Sequence, residues 1–201
     1  MAIQTQAETI GYVPSVFDFS PPGLTDEQFE SLCRNHPELS LELSAEGELI
    51  IVPPTLPYTG EKNSDLNFQV SLWARKDKTG VVFDSSSLFT FPNGAKRSPD
   101  VSWVLRDRWE SLPDYELRRF SRLVPDFVIE LRSLSDSLKT LKKKMAEYIE
   151  NGVRLAWLIN PEQQKVHIYR LNGEIEILHN PETVSGEDVL KGFELNVREI
   201  W

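Results

Sequence analysis

Two acidic residues in short apolar segments have the spacing and surroundings of metal ligands. Asp100 follows Pro99 at the start of PDVSWVL, and Glu130 lies inside PDFVIELR. Both segments alternate as strands do, so neighbouring strands would bring the two carboxylates together. Hard divalent cations prefer carboxylate oxygens, and Mg²⁺ usually keeps several water ligands as well. The pair therefore predicts a site for Mg²⁺ or Mn²⁺.

The lysines of the following segment can complete such a site. SDSLKTLKKKMAEYIENG predicts a helix capped by Ser135 or Ser137 and ending near Gly152. Its buried stripe comprises Leu138, Leu141, Met145, Tyr148 and Ile149. Lys142 and Lys144 lie at the two borders of this stripe, where a long side chain reaches the sheet. Such a lysine stabilises charge on a phosphate and helps to activate an attacking water. Helical geometry leaves both lysines open.

A second interpretation of the same residues involves no chemistry. Glu130 and Arg132 share one strand face, so they could form an ion pair on an exposed sheet, and Asp100 could simply follow Pro99 in a turn. From these residues alone, both interpretations stay open.

The surrounding elements predict an α/β fold with a mixed sheet flanked by helices. Strand, helix and strand alternate between residues 125 and 160, which favours a crossover connection. Thr25 and Gln28 have the spacing of a capping box at the start of an early helix. The polar and proline-rich residues 1–22 predict a flexible arm, and residues 23–201 a single domain.

Composition limits the classes of protein. The chain has 201 residues and a formal net charge of −9, which argues against a protein coated with basic residues for nucleic acid or membranes. Its basic residues nevertheless cluster, in WARKDK, GAKRS, LRRFSR and LKKKM, near the candidate site. Cys33 is the single cysteine, and no apolar run approaches the roughly 20 residues of a membrane span. We expect a cytoplasmic protein with no membrane association.

The motifs resemble a known family. LTDEQFESL, ELIIVPPT, SPDVSWV, PDFVIELRS, KMAEYIENGVRLAWLINP and KVHIYR follow one another as in the PD-(D/E)XK nuclease superfamily, and within it as in the Uma-two group of restriction endonucleases, also called domain of unknown function 820. The resemblance implies a restriction-endonuclease-like core, with Asp100 and Glu130 as the motif acids. Arg132 stands where the superfamily lysine would be, and Lys144 matches the lysine that this group takes from the next helix. Arginine stays protonated and is a poor base, so Arg132 would contact phosphate or orient Glu130.

Three other carboxylates are secondary candidates. The resemblance implies that an N-terminal element can add one, which points to Glu42 or Glu61, although an acid at a helix start such as Glu61 is also favoured by the helix dipole. Asp126 follows a second proline and shares a strand face with Glu130; it would be an alternative ligand or would set the strand geometry.

The leading hypothesis is a metal-dependent endonuclease that hydrolyses DNA. The alternatives are a catalytically inactive nuclease-fold protein that binds nucleic acid or a partner, and a structural subunit of a homo-oligomer such as a dimer.

Overall fold

The structure is a computed structural model that describes residues 14–19 and 23–201. Its strands, in chain order, are β1 (Ser15–Asp18), β2 (Ser40–Leu43), β3 (Glu48–Val52), β4 (Gly80–Asp84), β5 (Phe89–Thr90), β6 (Lys96–Arg97), β7 (Val101–Leu105), β8 (Phe127–Leu131), β9 (Leu155–Asn160), β10 (Lys165–Arg170), β11 (Ile175–His179), β12 (Thr183–Ser185) and β13 (Glu194–Asn196). The helices are α1 (Asp26–Asn35), α2 (Pro57–Asp77), α3 (Arg106–Glu110) and α4 (Leu138–Glu150). Single 3₁₀ turns lie at Pro161–Gln163 and Val197–Glu199.

A six-stranded sheet forms the centre of the fold, in the order β11-β10-β9-β8-β7-β4. β8 and β9 are parallel, because α4 connects them as a crossover, and the other neighbours in this sheet are antiparallel. The predicted mixed sheet flanked by helices is confirmed.

Both faces of this sheet are covered. Residues of α2 and of the β12–β13 hairpin region pack on one face, around Trp103 and Trp157, and α4 packs on the other, through Met145 and Tyr148. Glu130, among apolar neighbours on β8, therefore lies under α4 rather than in solvent.

A second sheet, in the order β1-β3-β2-β6-β5, carries the other part of the site. Helix α1 packs against it through Phe29, which is fully buried. The predicted capping box is present, since Thr25 and Gln28 exchange side-chain to backbone hydrogen bonds. Within the segment predicted as an arm, Ser15–Asp18 forms β1, which pairs with β3. Residues 1–13 and 20–22 of that segment lie outside the described residues.

Several elements of the fold carry little sequence pattern of their own. Helix α2 begins at Pro57, where proline fits the first turn. Strand β6 has two residues and the β12–β13 hairpin has three in each strand, which is too short for an alternation pattern. In the described part of the chain, no helix is long and apolar enough to cross a membrane.

Candidate active site

Strand register brings Asp100 and Glu130 together. Val101 on β7 pairs with Ile129 on β8, so one step further along the antiparallel pair Asp100 lies opposite Glu130. The proximity has an electrostatic consequence: burial, together with the charge of Glu130, raises the pKa of Asp100 to about 7. Two acids predicted from separate segments thus form one pair.

The carboxylate of Asp100 is held by two donors. Its Oδ2 accepts a 2.7 Å hydrogen bond from the backbone N–H of Leu131, and its Oδ1 accepts one of 3.0 Å from Nδ2 of Asn63 on α2. Because Leu131 follows Glu130 directly, the first hydrogen bond fixes the side chain of Asp100 beside the backbone of Glu130. Asn63 ties the pair to the helix that covers the opposite face of the sheet.

Glu130 is buried but has partners on α4. Tyr148 donates a 2.6 Å hydrogen bond to its Oε1, and Nζ of Lys144 lies 3.0 Å from the same oxygen. Burial raises the pKa of Glu130, and the positive charge of Lys144 opposes that rise. Tyr148 stays a phenol, since burial and the nearby carboxylates hold its pKa well above the ordinary value.

Lys144, rather than Lys142, reaches the carboxylates. Its side chain is 17% exposed and its Nζ lies 3.0 Å from Oε1 of Glu42 as well as from Glu130, while Lys142 is exposed to solvent. Burial acts to lower the pKa of Lys144, but the two carboxylates outweigh it and hold the pKa above the ordinary value. Lys144 is therefore an ammonium group, a donor and a charge rather than a base.

Glu42 lies on β2 of the five-stranded sheet, where hydrogen bonds and an ion pair hold its carboxylate. Its Oε1 accepts a 3.0 Å hydrogen bond from the backbone N–H of Ser98, and its Oε2 pairs with Arg97 at 3.2 Å. Arg97 in turn pairs with Glu147 on α4 at 2.7 Å. Burial acts to raise the pKa of Glu42, but the charges of Lys144 and Arg97 outweigh it and hold the pKa below its usual range. Glu42 is thus an ionised anchor for Lys144.

Arg132 does not pair with Glu130. Its guanidinium lies 3.3 Å from Oδ1 of Asn160 and 3.5 Å from Glu162, and it also donates to the carbonyl of Asp136. The two alternatives that gave Arg132 a contact with Glu130, as its surface ion-pair partner or as its orienting residue, are therefore wrong. Glu130 pairs with Lys144 because α4 covers this face of the sheet.

The remaining two candidates lie apart from this network. Glu61 is an exposed residue on the first turns of α2. Asp126 lies about 13 Å along the strand from Glu130, at four residues of roughly 3.3 Å each. It is buried, accepts a 2.9 Å hydrogen bond from the N–H of Leu105 and pairs with Arg108 at 2.7 Å. These contacts fix the start of β8 against the end of β7.

The donor set fits a water-rich Mg²⁺ or Mn²⁺ site. Asp100 and Glu130 supply oxygens alone, and a divalent cation between them would offset the repulsion that, together with burial, raises the pKa of Asp100. Within residues 14–19 and 23–201, no three His, Cys, Asp or Glu side chains are grouped as a metal-binding cluster. A cation held by Asp100 and Glu130 would take its remaining ligands from water.

Sequence reasoning overlooked the residues that hold the acids and the lysine. Tyr148 was assigned to the buried stripe of α4, yet it follows Lys144 by one helical turn, the spacing at which two side chains share a face. Arg97 and Asn63 carry no comparable signal. Each acts across a long stretch of chain, on Glu42 and Asp100 respectively.

The crystal structure of "a putative nuclease belonging to DUF820" from Anabaena variabilis superposes with a TM-score of 0.73 at 22% sequence identity, covering 88% of this chain and 97% of that one. It shows that the two share a fold. A search of the curated proteins finds no match.

A family model covers most of the chain. It matches residues 26–198, a range that contains α1, the six-stranded sheet, the five-stranded sheet except β1, and every residue of the network around Asp100, Glu130 and Lys144. The chain therefore belongs to the Uma2 family, described as "Putative restriction endonuclease".

Proposed function

We propose that this protein is a metal-dependent endonuclease that hydrolyses phosphodiester bonds of DNA. The observation that carries the proposal is the pairing of Asp100 with Glu130 beside the buried ammonium of Lys144. Membership of the Uma2 family supports a nuclease, and the oxygen donors support Mg²⁺ or Mn²⁺. A cytoplasmic location, compatible with the single free cysteine, is part of the proposal.

The roles follow from the charges. Asp100 and Glu130 hold the cation, which supplies Lewis-acid stabilisation of the charge that develops on the phosphoryl oxygens. Lys144 donates a hydrogen bond to the same phosphoryl group or to the attacking water, and its positive charge stabilises the negative charge that develops there. Tyr148 and Glu42 keep Glu130 and Lys144 in place.

Supercoiled plasmid DNA tests the proposal. Purified protein with 5 mM Mg²⁺ or Mn²⁺ should convert it to nicked or linear DNA, and EDTA should stop the reaction. Asp100→Ala and Glu130→Ala should both abolish cleavage while circular dichroism shows a folded domain. Glu61→Ala, which removes an exposed carboxylate outside the network, should cleave as the wild type does.

Two results would count against the proposal in different ways. Cleavage that survives both Asp100→Ala and Glu130→Ala would place the reaction elsewhere or in a contaminant. DNA binding without cleavage under any metal condition would favour the inactive binding module, with Lys144 serving only to neutralise Glu130 and Glu42.

A further inference from the structure

The sheet face that carries Glu130 continues into a group of basic and polar residues that the proposed chemistry does not use. By strand pairing, Glu130 on β8 aligns with Leu158 on β9 and then with His167 on β10. His167 is two strand spacings from Glu130, about 10 Å. The same face of the sheet therefore leads directly from the proposed reaction centre to His167.

A second row of residues runs beside the first. Asn160 at the end of β9 pairs with Lys165 on β10, and Lys165 pairs with His179 on β11. Arg132, which comes after β8, contacts Asn160 at 3.3 Å. Side chains two residues apart on a strand share a face, so this row lies on the same side as Glu130 and His167.

Two buried side chains in these rows have nitrogen atoms without a hydrogen-bond partner among the described residues. Nδ2 of Asn160 and both ring nitrogens of His167 are buried without a partner in the described part of the chain. His167 is 3% exposed and Asn160 is fully buried. Buried polar atoms rarely go without a partner in folded proteins, so these nitrogens mark a place where a ligand or water supplies the missing bonds.

The charge around His167 is positive. Burial, together with the charges of Lys142, Lys165 and His179, lowers the pKa of His167, which shows that these groups lie close to it. Among the described residues, neither Lys142 nor Lys165 forms an ion pair with a carboxylate. Arg132, in the second row, has an acidic partner, the half-exposed Glu162.

We propose that Lys142, Lys165 and His179, with Asn160 and His167 beneath them, bind the phosphate backbone of the DNA strand beside the cleaved bond. We call these five residues the phosphate strip. The inference rests on the proposed function, since it places the same DNA that the reaction centre cleaves.

The dimensions agree with that assignment. A distance of about 10 Å from Glu130 places His167 within a few nucleotides of the proposed reaction centre along a DNA strand. The exposed Lys142 and the half-buried Lys165 contact the phosphates. A phosphate oxygen between them offers the unpartnered nitrogens of Asn160 and His167 a partner, directly or through one water. The net charge of −9 does not oppose this, because binding depends on the local potential.

Salt-dependent binding provides the test. A fluorescein-labelled 30-base-pair duplex is titrated with protein in EDTA, and anisotropy gives the affinity at several salt concentrations between 50 and 300 mM. For duplex DNA the logarithm of the affinity falls with the logarithm of salt by about 0.9 per phosphate contact. Lys142→Ala and Lys165→Ala should each reduce the slope by about 0.9 and weaken binding about eightfold at 0.1 M salt.

Lys191→Ala is the matched control. Lys191 is an exposed lysine between β12 and β13, whose neighbours Leu190 and Phe193 pack on the opposite face of the large sheet. Lys191→Ala removes the same charge as the strip variants and should leave the salt dependence of the affinity unchanged. Equal effects of Lys142→Ala, Lys165→Ala and Lys191→Ala would overturn the phosphate strip, because only net charge would then matter.

The test separates this inference from the proposed function. A slope that responds only to the strip variants supports the phosphate strip even if no metal condition gives cleavage. Metal-dependent cleavage with a slope insensitive to Lys142 and Lys165 contradicts the strip and leaves the proposed endonuclease standing. A wild-type protein that binds no duplex at 50 mM salt overturns the strip.

Discussion

Nζ of Lys144 lies 3.0 Å from Oε1 of Glu42. Lys144 is on α4, which covers the six-stranded sheet, and Glu42 is on β2, the central strand of the five-stranded sheet. The same ammonium group contacts Glu130, so one lysine links both sheets at the proposed reaction centre. The geometry of the site therefore depends on how the two sheets are docked, and the contacts of Glu42 are part of that docking.

Removal of Glu42 should destabilise the protein. Glu42→Ala leaves Lys144 with one carboxylate fewer and Arg97 with Glu147 alone, and breaking a buried ion pair from one side costs about 3–5 kcal/mol. Urea denaturation measures this free energy of unfolding. Glu61→Ala, at an exposed position, should change it by less than about 0.5 kcal/mol. A loss below about 1 kcal/mol for Glu42→Ala would show that Glu42 does not anchor the lysine.

Replacing Lys144 and Lys142 one at a time should show which of the two lysines takes part in cleavage. Lys144→Met removes the charge beside Glu130 and should lower the rate of DNA cleavage by about 10²–10³, the range found when one charge-stabilising donor is lost. Lys142→Met should weaken DNA binding through the phosphate strip but leave kcat at saturating DNA within about threefold, because Lys144 makes the contacts with the carboxylates. Lys143→Met, on an exposed lysine of the same helix outside both groups, serves as the neutral control. If Lys142→Met had the larger effect on kcat, the assignment of the lysine would be wrong.

The raised pKa of Asp100 predicts how stability depends on pH in the metal-free protein. Folded Asp100 holds its proton up to about pH 7, whereas an unfolded chain releases it near 3.9. The contribution of Asp100 to stability is therefore complete below about pH 4 and is lost as the pH rises through 7, by on the order of 1–4 kcal/mol.

Denaturation of the wild type and of Asp100→Asn in EDTA, at several values between pH 5 and 8.5, isolates this contribution. The stability of the wild type relative to the variant should decline from pH 5 to about pH 7 and then stay level. A constant difference would mean that Asp100 is ionised throughout, with neither burial nor the charge of Glu130 raising its pKa.

Metal binding should release a proton below neutral pH. At pH 6 most Asp100 carries a proton that a divalent cation must displace, and at pH 8.5 it carries almost none. Calorimetry of Mn²⁺ binding in two buffers of different ionisation enthalpy counts the released protons. We expect about one per Mn²⁺ at pH 6 and near zero at pH 8.5. Equal counts at both values would exclude Asp100 as the titrating ligand.

Much of the fold could be predicted from sequence because its elements carry local signals. The capping box of Thr25 and Gln28 predicts the first helix. The apolar stripe of α4 and its Ser137 cap predict the helix that connects β8 to β9. Ser15–Asp18 carries no such signal. It is a strand because the open edge of β3 accepts it, which is a property of the assembled sheet.

The sequence predicted the position of some site residues and the contacts of fewer. Alternation along two strands predicted that Asp100 and Glu130 would meet, and the helical wheel narrowed the lysine to Lys142 or Lys144. Arg132 shows the limit of alternation: it shares a face with Glu130, yet its long side chain turns to Asn160 and Glu162. Which partner a charged group takes depends on what packs above the sheet.

The central claim is that Asp100 and Glu130 hold one divalent cation. A crystal of the protein grown with Mn²⁺ tests it directly, through the anomalous scattering of the metal. The account predicts one strong anomalous peak within about 2.0–2.3 Å of a carboxylate oxygen of each residue, with water completing the coordination. An anomalous map with no peak between them at saturating Mn²⁺, or with its peak elsewhere in the molecule, would contradict it.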